Sequence, residues 1–140
     1  MFASATEAEQ AFYEALARGD VDGVMRVWAD NEDVVCVHPG GLRLIGHVAV
    51  RESWQQILQH GGLHIETSKC VTLNTMLGAT NTLVELIKAH GPSGAEFAYC
   101  YATNVFHKDT NGWRMVLHHA SAAPERAGAL DLHDSPGTLH

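Results

Sequence analysis

The chain has 140 residues, 46% of them apolar and 18% charged, with a formal net charge of −7. That length suits one domain burying about two-thirds of its unfolded surface, and the composition is the opposite of a disordered chain's. No cluster of Lys and Arg exists to track phosphates, which excludes nucleic acid as an expected partner, and no apolar run approaches the roughly 20 residues of a membrane helix. Residues 1–10 are polar and acid-bearing, unlike a secretory signal. Cys36, Cys70 and Cys100 are odd in number, far apart and each inside a strand-like run. They read as buried thiols in a reducing compartment, and the expected location is cytoplasmic.

In chain order, Thr6-Glu7-Ala8-Glu9 has the form of a capping box that opens a helix. Ala8, Ala11, Phe12, Ala15 and Leu16 then recur at helical spacing as one apolar stripe. Arg18-Gly19-Asp20 ends that helix, with Gly19 as its left-handed terminator and Asp20 as the next N-cap. Val21, Val24, Met25 and Trp28 share a face of a short second helix, which must fold back on the first as a hairpin. Residues 34–38 form a β-branched strand turned by Pro39-Gly40-Gly41, and residues 42–45 return as another. A third helix over residues 47–59 places Val50, Trp54, Ile57 and Leu58 inward, and Gly61-Gly62 ends it. Four longer strands follow, over residues 63–73, 82–90, 95–108 and 113–121, joined in part by Gly91-Pro92-Ser93-Gly94 and Asp109-Thr110-Asn111-Gly112. The order predicts an α+β domain over residues 1–123, with an antiparallel sheet wrapped on three N-terminal helices. Residues 124–140, rich in Gly, Pro, Asp and His, read as a loose tail.

Two stretches carry a family resemblance. The run from Phe12 through Arg18-Gly19-Asp20 to Gly23 is similar to the helix–Gly-Asp–helix opening of SnoaL-like proteins in the nuclear transport factor 2-like superfamily. Thr103-Asn104-Val105-Phe106-His107-Lys108, Gly112-Trp113-Arg114-Met115-Val116 and His119-Ala120-Ser121 resemble their final hairpin, as they do that of calmodulin-dependent kinase association domains. Gly46 and the helix from Val50 to Trp54 fall where the family has a glycine and its third helix. The resemblance implies a cone-shaped fold with a pocket between the concave sheet face and the helices, and dimerisation across the convex face. Relatives include steroid isomerases, polyketide cyclases, dehydratases and assembly domains without chemistry, so fold transfers further than function.

His38 precedes Pro39 where the steroid isomerases of this resemblance have a catalytic Asp-Pro. A histidine there is a candidate general base, its ordinary pKa of about 6.5 lying near working pH. The other reading is a turn histidine bonded to nearby backbone. The same resemblance implies an oxyanion-stabilising tyrosine at Phe12; Tyr13 is one residue on, about 100° round the helix, and is not expected to replace it. On the 95–108 strand, Ala98, Cys100, Ala102 and Asn104 share one face, and Phe97, Tyr99, Tyr101, Thr103 and Val105 the other. Small residues leave room for a cavity, so the first face is assigned to the cone and the aromatic one to a partner subunit. The resemblance to the kinase association domains, where arginines at the places of Asn104 and Ala120 line the pocket, agrees with that parity. It adds Arg114, Val116 and His118 to the interior, although a bulge would bring His119 in instead. Both of those arginines are absent here.

The candidate set is therefore His38 and His118 as an acid–base pair, with Asn104, Trp54, Arg114, Cys100 and Trp28 lining a ligand pocket. Trp54 and Trp28, on the inward faces of their helices, read as core before they read as ligand platforms. Glu85, amid Leu83, Val84, Leu86 and Ile87, is either on a solvated face or a buried acid paired with Arg114 or Lys88. The ten histidines present no converging ligand spacing: His118 and His119 point to opposite faces, His60 and His64 bracket a loop, and His133 and His140 lie in the tail. No metal and no cofactor is expected, and no nucleophile elbow, phosphate loop or dinucleotide fingerprint occurs. Two functions fit. One is a module binding a small, mostly apolar molecule. The other is a cofactor-free isomerase or lyase of dehydratase or cyclase type, with His38 as base in a closed, roomy cavity. Both include a homodimer through Phe97, Tyr99, Tyr101 and Trp113.

Overall fold

A computed structural model describes residues 1–134, which form three α-helices, six strands and a short 3-10 turn. Helix α1 (Ala5–Arg18) opens two residues before the expected capping box. Ser4-Ala5-Thr6-Glu7 has the same pattern. Ser4 Oγ accepts from the Glu7 amide at 3.0 Å, while Glu7 Oε2 accepts from the Ala3 amide at 2.8 Å. Gly19 ends the helix at φ 68°, and Asp20 caps α2 (Val21–Val27) by accepting from the Gly23 amide at 2.9 Å. Helix α3 (His47–Ile57) buries Val50 and Trp54, and Leu58 just beyond it, but leaves Ile57 41% exposed at its C-terminal end.

The strands are β1 (Val35–Val37), β2 (Arg43–Ile45), β3 (His64–Asn74), β4 (Gly78–Gly91), β5 (Gly94–Asp109) and β6 (Gly112–Ala122). They form one open curved sheet in the order β2-β1-β6-β5-β4-β3. The sheet is mixed rather than wholly antiparallel, because β1 runs parallel to β6, with Cys36 opposite His118. Alternation along a strand fixes which face a residue takes and says nothing about the direction of its neighbour, so the expectation missed this pair.

The main core lies between the helices and the sheet, where Phe12, Leu16, Val24, Trp28, Val34, Val50, Trp54, Phe106 and Met115 are buried. Each such large side chain contributes roughly 1.5–3 kcal/mol by leaving water. Leu83, Cys100, Ala102 and Ala120 form a smaller cluster further along the sheet. Gly62 seats the end of α1: a Cβ there would lie 2.0 Å from the Ala17 carbonyl oxygen, and the neighbouring Leu63 amide donates to Leu16 O at 2.8 Å. Only glycine permits that approach.

Three further expectations are corrected. A bulge between Val105 and Phe106 on the β5–β6 ladder puts Met115, not Val116, opposite Phe106. Trp113 and Met115 therefore pack on the core, while Arg114 pairs with His107. His118 stays inside and His119 is exposed. Cys70 is exposed on β3 at the sheet edge, whereas Cys36 and Cys100 are buried; all three are free thiols. The segment after Ala123 is not loose at its start: a 3-10 turn, Glu125–Gly128, buries Ala127 and lays Gly128 against the Tyr99 ring. His140 and the rest of residues 135–140 lie outside the described residues. Among the described residues, no helix is long and apolar enough to cross a membrane.

Candidate functional site

The concave face carries two groups of polar side chains that meet at Asn104. At one end, β1 leads to His38, and Gly41 closes the turn by donating its amide to the His38 carbonyl at 2.9 Å. His38 Nε2 lies 3.0 Å from Ser53 Oγ and 3.6 Å from Cys36 Sγ. Ser53 spends its own proton on the Val50 carbonyl at 2.7 Å, so the imidazole donates from Nε2 and keeps its lone pair on Nδ1. The His38 ring stands edge-on to Trp54, with centroids 4.6 Å apart. His118 sits 5.9 Å from Trp54 and 5.2 Å from Phe12. Burial lowers the pKa of His38, and pushes that of His118 down to about 3 with help from the charges of His38 and His119. Both rings are neutral at pH 7.

At the other end the materials are acidic. Glu85 on β4 is 1% exposed, and its Oε2 accepts from the Tyr13 hydroxyl at 2.6 Å. Burial raises the Glu85 carboxyl to about 7; the Tyr13 bond opposes the shift and the charge of Glu9 adds to it. Burial, then the Glu85 charge, holds the Tyr13 phenol well above its ordinary range. Glu9 Oε2 accepts from Asn81 Nδ2 and Asn104 Nδ2, each at 3.0 Å. Asn104 Nδ2 also donates to Tyr13 OH at 2.9 Å, and its Oδ1 lies 2.6 Å from His118 Nδ1. Thr72 Oγ1 completes the set by donating to Asn81 Oδ1 at 2.8 Å.

The structure thus brings together His38, His118, Asn104 and Trp54, with Cys100 opposite Glu85 in the ladder. Trp28 is not with them. It is buried in the helical core, bridged to Met115. Arg114 leaves the concave face because of the bulge, and its Nη1 reaches the Trp28 carbonyl at 3.5 Å. Glu85 is buried, and it pairs with neither Arg114 nor Lys88: Lys88 binds Glu66 at 2.9 Å. Phe12 and Tyr13 both face the sheet, Phe12 into the rings and Tyr13 into the acid network, because one turn of α1 spans both ends of the concave face.

Sequence reasoning passed over Glu9, Asn81 and Ser53. Glu9 and Tyr13 stand at i, i+4 on α1, and Asn81 and Glu85 share a face of β4, so a polar stripe beside each apolar one was the available signal. Where a closed, roomy cavity was expected between the histidines, the Trp54 ring packs against both and the Phe12 ring against His118. Five clefts open on the described residues in which neither His38 nor His118 takes part. A cleft of about 360 Å³ opens instead between α1 and β3, lined by Thr6, Glu9, Tyr13, Ile65 and Thr67 among others, against the acid end. Among the described residues no three His, Cys, Asp or Glu side chains gather as metal ligands. Chemically, the arrangement offers a carboxyl that changes charge near neutral pH, a phenol bonded to it, and two neutral imidazoles.

This architecture recurs among solved structures. A chain from Thiobacillus denitrificans, named for the calcium/calmodulin-dependent protein kinase type II association domain, is 31% identical. It superposes with a TM-score of 0.79 over 89% of this chain and 98% of its own. A chain from Streptomyces avermitilis, named as a dehydratase of the nuclear transport factor 2-like family, is 30% identical, with a TM-score of 0.75 over 83% and 91%. A cystatin-like fold from Nostoc punctiforme shares 15% identity, with a TM-score of 0.69 over 89% and 97%, and so speaks for the fold alone. No curated protein matches the chain. The sequence model of the SnoaL-like domain matches residues 6–125. With its helices, mixed sheet and concave polar face laid out as above, the chain belongs to the SnoaL-like family.

Proposed function

We propose that the chain binds a small, mostly apolar molecule in the cleft between α1 and β3, with the ligand's polar atom set against Tyr13 and Glu9. The observation that carries this reading is the 2.6 Å contact of Tyr13 with buried Glu85, at a cleft that Tyr13 itself lines. A buried acid–phenol pair opening on a cleft is a costly arrangement for stability alone, and such groups concentrate at binding and reaction sites. The test is a fragment screen by amide chemical-shift mapping on the labelled protein. Binding should perturb Thr6, Glu9, Tyr13, Ile65 and Thr67 together and weaken at least tenfold in Tyr13→Phe. Shifts that cluster at another cleft would refute the reading.

One observation favours a second reading, a cofactor-free isomerase or lyase. The Glu85 carboxyl, held up to about 7 beside a phenol, is poised to take and return a proton near neutral pH. In this reading Glu85 and Tyr13 act as base and acid, with His118 joined to them through Asn104, while His38 keeps its Nε2 proton on Ser53. Proton–deuterium exchange or dehydration of screened ligands in D2O should then be lost in Glu85→Gln with binding retained.

Either function is compatible with a homodimer through the convex face. Phe97 and Tyr101 there are 63% and 44% exposed, although Tyr99 is partly covered by Gly128 and Trp113 faces the core. Sedimentation as a strict monomer at micromolar concentration would exclude it.

A further inference from the structure

We infer that Glu9 and Tyr13, acting through the side-chain amide of Asn104, hold His118 in its Nδ1–H tautomer and leave Nε2 as the acceptor. The argument starts from Asn104, which is fully buried and has one donor end and one acceptor end. Two acceptors face one of those ends. Glu9 Oε2 lies 3.0 Å from it, and a carboxylate oxygen can only accept. The Tyr13 oxygen lies 2.9 Å from it and directs its own proton to Glu85 Oε2, so toward Asn104 it accepts as well. Turning the amide over would set a carbonyl oxygen against a carboxylate at hydrogen-bond distance. The NH2 end therefore points to Glu9 and Tyr13, and the carbonyl end to His118.

The rest follows from proton counting. Asn104 Oδ1 lies 2.6 Å from His118 Nδ1, and an oxygen acceptor there requires the proton on Nδ1. The ring is neutral in its enclosed place between Phe12 and Trp54, so Nε2 carries the lone pair. His38 has the opposite form, since Ser53 forces its proton onto Nε2. Two imidazoles packed on the same Trp54 ring thus present opposite nitrogens as bases. Asn104 and Glu9 are positioning residues in this scheme, with Glu9 acting through the amide rather than by touching the imidazole.

The experiment is a long-range 1H–15N correlation spectrum of the full chain labelled at histidine, recorded at pH 8, with His118 assigned by the signal lost in His118→Gln. Wild type should show a pyrrole-type Nδ1 and a pyridine-type Nε2 for His118, and the reverse for His38. The reverse pattern at His118 overturns the inference outright. In a folded Glu9→Gln/Tyr13→Phe double variant neither acceptor fixes the amide, and an Nε2–H form of His118 should appear at a comparable share. An unchanged His118 pattern in that variant also overturns it. If the double variant does not fold, the wild-type spectrum decides alone. Because no ligand enters these spectra, a failure here is separate from a failure of the fragment screen.

Discussion

At one end of the concave face His38 and His118 lean on the rings of Trp54 and Phe12; at the other, Glu9 and Glu85 are held by two asparagine amides and a phenol. Burial disfavours charge at His118 and at Glu85 alike, yet its effects run in opposite directions. The buried His118 imidazole is kept deprotonated, whereas the buried Glu85 carboxyl holds its proton up to about pH 7. The histidine end is organised by packing, and the acid end by hydrogen bonds. Asn104 belongs to both.

The contrast can be broken at its ring-built end first. Trp54→Ala removes the indole shared by His38, His118 and Phe12, and should cost about 3–5 kcal/mol in urea unfolding, as large aromatic deletions in cores do. A loss under about 1 kcal/mol would show that the rings are not what organises this end. Asn104→Leu comes next. It leaves the His118 Nδ1–H without its partner and takes from Glu9 Oε2 one of its two amide donors, an expected loss of about 2–4 kcal/mol, since a buried polar group deprived of its bond costs about 1–3 kcal/mol.

The third prediction sharpens the comparison through pH. The Glu85 pKa is raised from 4.5 to about 7 on folding, so the folded state holds the extra proton. The stability this lends is present in full below the unfolded value and is lost as pH rises toward 7. His118 has the opposite sign: lowered from 6.5 to about 3, it favours the folded state above 6.5 and costs stability as pH falls toward 3. Between the two unfolded values the slopes oppose each other. Glu85→Gln should remove the descending one, so that stability climbs by about 2–3 kcal/mol from pH 5 to 7 relative to wild type. Parallel pH profiles for the two proteins would mean that Glu85 is ionised throughout. The smallest effect is expected for Ser53→Ala, about 1 kcal/mol, because His38 is only half-buried and water can replace the lost acceptor. Thermal melts resolve a change of that size.

Much of the frame is legible in the sequence. Gly19-Asp20 between two apolar stripes fixes a helix hairpin because glycine alone enters the left-handed turn cheaply and aspartate alone of the two caps the next helix. Alternation on β5 placed Cys100, Ala102 and Asn104 inside, and His118 with them. Beyond the bulge the same rule failed, since one extra residue on β6 reverses every side chain before it, and Trp113 and Arg114 exchanged faces. The acid end was missed for a different reason. Glu9 looks like an ordinary surface charge by itself, and its meaning comes from two asparagines that reach it from β4 and β5; the pattern around Glu85 fits a solvated face and a buried acid alike, and its partner Tyr13 lies on a distant helix. Nor could spacing alone distinguish Ser4 from Thr6 as the cap, because each is followed three residues later by glutamate.

The parallel seam between β1 and β6 has a consequence for the growing chain. Strand β1 is made early and cannot be paired on that side until almost the last residues of the domain have been made. A polypeptide stopped short of Gly112 would carry two bare strand borders at once, on β1 and on β5, each offering unpaired amides and carbonyls to any neighbour. Completion of a single hairpin at the far end therefore seals both.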